Sequence, residues 1–233
     1  ALDNNRSLSN NVAIGSEALA TQGFSWDPTD CHNTEYEHGC VSSYNVAVGN
    51  SALYSTDPQS DRDGIQNTAV GHEAFYSNTT GTANTGLGYQ SGYSNQTGYG
   101  IVCIGYQAGY SNTAIAETFV GYLAGYNNTT GCCNNYNTFI GYTAGTANTT
   151  GYYNSFVGHD AGYNNTTATE NSGLGLQALG QTTTGSYNTG LGFKAGYAIT
   201  TGKQNTFVGD VADANGNYNN CAAIGYNTVT TGN

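Results

Sequence analysis

The chain has 233 residues, of which 8% are Asp, Glu, Lys or Arg, against roughly 25% in an ordinary soluble domain. Four basic residues and a net charge of −11 argue against nucleic acid or an anionic membrane surface as partner, because phosphate contacts need Lys and Arg. No apolar run approaches the roughly 20 residues that span a bilayer, and 34 Gly and 20 Tyr with only 2 Pro make the chain too aromatic for a disordered linker and point to an all-β protein.

In chain order, an aliphatic residue followed by Gly recurs twelve times. The pairs begin with Ile14–Gly15, Val48–Gly49, Val70–Gly71, Leu87–Gly88, Ile104–Gly105 and Val120–Gly121. They continue with Ile140–Gly141, Val157–Gly158, Leu174–Gly175, Leu191–Gly192, Val208–Gly209 and Ile224–Gly225. Most steps are 17 residues, and a fixed short period is the mark of a solenoid. The step of 34 from Gly15 to Gly49 reads as two periods with one anchor missing, and the step of 20 to Gly141 as an insertion. The expected fold is a parallel β-solenoid, a β-roll of about twelve 17-residue coils. It forms a single domain over 1–233, with a loop excursion at 23–44 and smaller insertions at 55–66 and 131–136.

Counting from the Asn of "NTAVG" (Asn67), position 4 is always Val, Ile or Leu, position 5 always Gly, and position 8 nearly always Ala. Seventeen residues accommodate two strands of about five residues and two turns, with coils about 4.8 Å apart. Position 4 and the Ala methyl at position 8 are then expected inside. Gly at position 5 permits a corner at positive φ. Gly at position 9 marks a bulge or a close backbone approach. Position 3 alternates with position 4 and is therefore expected to point outward. Its apolar members Phe119, Phe139, Phe156 and Phe207 become candidates for an oligomer interface.

The excursion at 23–44 holds Trp26 and "CHNTEYEHGC". Cys31, His32, His38 and Cys40 are a conceivable zinc set, but a Cys31–Cys40 disulfide closing the excursion is favoured in an extracellular setting. Cys132 and Cys133 lie in the third insertion. As neighbours they are poor partners for each other and are candidates for disulfides elsewhere or to another copy. Cys103 and Cys221 read as buried small hydrophobes. "DPQSDRDG" (Asp57–Gly64) and "DANGN" (Asp213–Asn217) offer oxygens for Ca²⁺, yet neither has the spacing of an EF-hand loop, and solvated turns are favoured.

Position 12 is a recurrent Asn in N-x-Thr sequons: Asn78, Asn95, Asn128, Asn148 and Asn165. Asn5, Asn127 and Asn164 fit the same pattern. These are candidate glycosylation sites along one solenoid edge, or else turn residues forming hydrogen-bonded ladders. The adjacent Thr–Thr pairs do not make an ice-binding face, because neighbours on a strand point to opposite sides. His72 and His159 occupy position 6, where Tyr is common, and read as repeat variants. With no nucleophile constellation and no phosphate-cradling loop, no enzyme and no cofactor are expected.

"NNVAIGSEALA" (Asn10–Ala20) and "YNVAVGNSAL" (Tyr44–Leu53) resemble the head repeats of YadA-like trimeric autotransporter adhesins. "NTAVGHEAFYSNTTG" is similar to repeats of phage tail fibres and other surface fibres. The resemblance covers about residues 9 to 233 and implies a left-handed β-roll, usually trimeric, on a cell or virion surface. The repeat here is longer than the family's usual head repeat, and no heptad stalk, basic neck or C-terminal barrel is seen. Two functions follow as expectations. One is a non-enzymatic structural subunit of an extracellular fibre, a homo-oligomer stacked end to end and sugar-coated. The other is an adhesive head that binds a surface receptor or glycan.

Overall fold

The computed structural model describes residues 10–21, 43–57, 63–129 and 135–231. Its first strands are β1 (Val12–Ile14), β2 (Val46–Val48), β3 (Thr68–Val70), β4 (Thr85–Leu87), β5 (Val102–Ile104), β6 (Thr118–Val120) and β7 (Thr138–Ile140). There follow β8 (Ser155–Val157), β9 (Ser172–Leu174), β10 (Thr189–Leu191), β11 (Thr206–Val208), β12 (Asp213–Ala214), β13 (Ala222–Ile224) and β14 (Val229–Thr230). Twelve of them form one parallel sheet in the order β1 to β11, then β13, while β12 and β14 pair separately. The fold is a β-solenoid whose coils lie about 17 residues apart. Register is strict: position 4 lies against position 4 from Ile14↔Val48 to Val208↔Ile224.

Three expectations are corrected. The 34-residue step hides no missing rung, since β1 pairs directly with β2, and the extra residues are one insertion between adjacent coils. Each coil carries a single three-residue strand on the main sheet instead of two longer ones. The cause is recurrent left-handed backbone at positions 7 and 9 and just before position 1, as at Glu73, Phe75 and Gln66, all with φ between 49° and 59°. Such residues break strand pairing and turn the chain around the coil. Finally, the inside and outside of the strand are exchanged. Phe119, Phe139, Phe156 and Phe207 are fully buried, whereas Ile14, Leu87, Ile140, Leu174, Leu191 and Ile224 at position 4 are exposed. The four phenylalanines are core residues and do not form a surface for oligomerisation. A strand of three residues has one side chain on one face and two on the other. Here the single central residue goes in.

The core then obeys a volume rule across the coil. Where position 3 is small, position 9 is large: Ala47 with Leu53, Ala69 with Phe75, Gly173 with Leu179. In three of the four coils with Phe at position 3, position 9 is Gly: Phe119 with Gly125, Phe139 with Gly145, Phe156 with Gly162; the Phe207 ring is instead received by Gly196 of the preceding coil. A Cβ on Gly162 would stand 2.3 Å from the Phe156 ring, so this glycine makes room for a side chain and does not mark a bulge. Coils with Gly at both positions, such as Gly86 and Gly92, are filled by a neighbour, here the ring of Phe75. The Ala row at position 8 is buried as expected, from Ala18 to Ala212. Gly at position 5 does form the corner: Gly141 has φ 141°, and a Cβ there would meet the Gly158 carbonyl oxygen at 2.3 Å.

Candidate functional site

Two asparagine ladders hold the coils in register, and they dispose of most of the sequon candidates. At position 1, each Asn Oδ1 accepts the backbone N–H of position 1 in the next coil, as in Asn67→Asn45 (2.8 Å), Asn84→Asn67 (3.0 Å) and Asn188→Asn171 (2.8 Å). Its Nδ2 donates to the carbonyl that closes its coil, Asn84 to Gly98 at 2.8 Å and Asn171 to Gly185 at 2.9 Å. At position 12 the side chains bond one another: Asn95 Nδ2 to Asn78 Oδ1 at 2.8 Å, Asn148 Nδ2 to Asn128 Oδ1 and Asn165 Nδ2 to Asn148 Oδ1 at 2.6 Å. Asn78, Asn95, Asn128, Asn148 and Asn165 are all fully buried. A glycan on any of them is incompatible with the folded coil. Of the remaining acceptors, Asn127 is exposed, Asn164 is half-buried, and Asn5 lies outside the described residues.

Glu117 occupies a position-1 site of the inner ladder, where most coils carry Asn. Its Oε2 accepts the Asn137 N–H at 2.9 Å, while Oε1 is buried without a hydrogen-bond partner. Burial pushes its carboxyl up to about 8, against the opposing pull of the Asn137 N–H. Nearby Cys103 is buried and free, and burial followed by the Glu117 charge raises its thiol far above the ordinary value. Cys221 is also buried and free. Cys31, Cys40, Cys132 and Cys133, with His32, His38 and most of the first acidic loop, lie outside the described residues. In the second acidic loop the oxygens serve the backbone. Asp213 Oδ2 takes the Ala198 N–H at 2.9 Å, and Asn217 Oδ1 takes the Thr200 and Thr201 N–H groups at 2.6 and 3.0 Å. Among the described residues no cluster of three His, Cys, Asp or Glu is placed to hold a metal ion.

What the coil turns outward is a broad face of three parallel rows. Position 2 supplies Thr, Ser and Val, position 4 the aliphatic row, and position 6 an aromatic row. In the last of these, His72, Tyr89, Tyr106, Tyr122, Tyr142 and His159 stack in succession with ring centroids 4.9–5.3 Å apart. The two histidines thus end a run of four tyrosines. Over all three rows Asp210 is the one residue fully charged at neutral pH. A second comb of rings, at position 10, runs through Tyr54, Tyr76, Tyr93, Tyr110 and Tyr126 at 5.0–5.2 Å. Between the combs, position 7 forms polar rungs such as Gln107 Nε2 to Gln90 Oε1 and Gln90 Nε2 to Glu73 Oε2, both 2.7 Å. The sequence shows the position-6 tyrosines as a feature of the repeat, but the position-10 row goes unnoticed there, although Tyr76, Tyr93, Tyr110 and Tyr126 recur at spacings of 16 or 17.

The wide face ends abruptly. Strand β13 closes the sheet order; Ile224 at its end is 70% exposed, more than the other aliphatic residues of its row, and Tyr226 just beyond it is 78% exposed. Comparisons with family models, with curated proteins and with solved structures returned no match. No helix among the described residues is long and apolar enough to cross a membrane.

Proposed function

We propose that the chain is a non-enzymatic structural subunit of an extracellular fibre, built by packing copies of the solenoid against one another. The observation that carries this reading is the outward aliphatic row at position 4, flanked by Thr and Tyr rows and nearly free of charge. A contiguous apolar surface of this kind favours burial in an interface. The fittest partner is another copy, because two surfaces with the same rung spacing interdigitate along their whole length without drifting out of step. The exposed β13 edge supports end-to-end growth in the same way, since an unpaired parallel edge is a template for a further strand.

Position 4 replaces position 3 as the row that meets the partner. The same row also supports the second reading, a trimeric adhesive head, in which three copies would line a central axis with it. Electron imaging of the purified native material separates the two. A continuous filament with this chain as its repeating unit is expected. A discrete three-fold rod would refute the filament and favour the head, and a monomer at high concentration would refute both. Leu174→Glu with Leu191→Glu, placed on the outer face, is expected to abolish assembly while leaving the far-ultraviolet dichroism unchanged.

A further inference from the structure

The position-10 comb lacks its tyrosine twice between Tyr126 and Tyr197, at Thr146 and at Gly180, so Tyr163 stands between two gaps. Gly180 stands where Tyr54, Tyr76, Tyr93, Tyr110, Tyr126, Tyr163 and Tyr197 stand in other coils. The gap at Gly180 opens a cleft of about 40 Å³ lined by Asp160, Tyr163, Gln177, Gly180, Gln181 and Tyr197. Tyr163 and Tyr197 stack on no other ring among the described residues, unlike the continuous run from Tyr54 to Tyr126. Lys194 lies over the Tyr197 ring at 5.3 Å, so the uncovered aromatic surface of the cleft is that of Tyr163, 42% exposed, a surface that the rest of the comb hides between neighbours.

We propose that this cleft binds one neutral pyranose ring, with Tyr163 as the platform. The inference stands on the cleft alone and holds whether the chain builds a filament or a discrete head. The polar groups around the gap are already oriented by the ladders. Gln177 Nε2 donates to Asp160 Oδ2 at 3.4 Å, Asn164 Nδ2 to Gln181 Oε1 at 2.9 Å, and Gln181 Nε2 to the Tyr197 hydroxyl at 3.0 Å. A carboxylate, two amides and a phenol around an open ring face match a ligand with an apolar C–H face and a rim of hydroxyls. The Asp160 carboxylate and the Lys194 ammonium, 5.3 Å from the centre of the Tyr197 ring, set opposite charges beside the cleft, which favours a neutral ligand over a charged one. A purely aromatic ligand would cover the remaining donor and acceptor capacity of these already paired groups without using it, which costs affinity. The floor of the cleft has room for little more than a water molecule, about 30 Å³. The sugar therefore rests across the mouth, and binding at roughly millimolar Kd is expected of so shallow a site.

Gly180→Tyr supplies the tyrosine missing at this gap. The backbone permits it, since Gly180 is not among the positive-φ glycines. A Cβ there meets the Gln177 carbonyl oxygen at 3.1 Å and the Tyr197 ring at 3.2 Å, so the substitution needs a shift of a few tenths of an ångström in the backbone as well as a rotation of the ring. The test is saturation-transfer NMR on the full chain with the methyl glycosides of glucose, galactose, mannose and N-acetylglucosamine, and with p-cresol as the aromatic probe. Transfer to at least one glycoside is expected, lost in Gly180→Tyr and in Tyr163→Leu, with dichroism of both variants unchanged. Tyr163→Leu carries the test alone if Gly180→Tyr does not fold. No transfer to any glycoside, transfer that survives in the folded variants, or transfer to p-cresol alone would each overturn the proposal.

Discussion

Glu117→Gln isolates a buried ionisable group that the ladder does not need. In the wild type the carboxyl is neutral in the folded chain up to about pH 8, but ionises near its ordinary 4.5 once the chain unfolds. Between those values the folded state holds one proton more than the unfolded state, so stability falls as pH rises. The loss begins near pH 4.5, grows through neutrality and levels off above about pH 8. The separation corresponds to a ceiling on the order of 5 kcal/mol at 1.36 kcal/mol per unit. Gln keeps the shape and an oxygen for the Asn137 N–H, and it removes the ionisation. Urea unfolding at pH 5, 7 and 9 is the assay. The variant is expected to lie near the wild type at pH 5 and to be more stable at pH 9 by several kcal/mol, with equal m-values. Equal pH dependence in the two proteins would refute the reasoning, because Glu117 would then be ionised or solvated in the folded state.

The volume rule between positions 3 and 9 predicts a rescue. Phe156→Ala alone is expected to cost about 3–5 kcal/mol through its cavity, and Gly162→Leu alone to clash with the ring. The double variant copies the Ala47–Leu53 coil and is expected to unfold at higher denaturant than either single one, since Leu53 adopts a φ of 50° at that position. Cys103 is expected to resist maleimide in the native protein and to react on unfolding in urea, as mass spectrometry would report; rapid native labelling would contradict its burial. Glycopeptide mapping of folded material from a glycosylating host is expected to find no sugar on Asn78, Asn95, Asn128, Asn148 or Asn165, and any occupancy to be confined to the accessible acceptors.

The period and the glycine corners made the solenoid legible before any coordinates, because a backbone that repeats every 17 residues must satisfy the same steric demand in each coil. The direction of each side chain was harder. Alternation fixes only that positions 3 and 4 oppose each other, and choosing the invariant aliphatic row as the core selected the wrong one. The variation at position 3 held the better clue. Phe, Cys, Ala and Gly there trade volume with Gly, Leu and Phe at position 9, and only a shared interior makes two positions compensate. Position 4 faces outward and has no such compensating partner within the coil.

The asparagines carry the same lesson inside the coil. A sequon pattern and a buried amide ladder use the same letters, and the Thr after each Asn suits both. What separates them is the neighbour one coil away: Asn148 faces Asn128 on one side and Asn165 on the other, and each amide has one donor and one acceptor left for that row. Breaks in such a row are therefore the places to look for function. At Ile101 and Glu117 the inner ladder is interrupted, and a titrating group enters the core. At Gly180 the aromatic comb is interrupted, and a cleft opens to solvent. In a protein whose every coil repeats the last, departures from the repeat are the positions to test for a task of their own, and the uniform aliphatic row is the surface that the proposed assembly would cover.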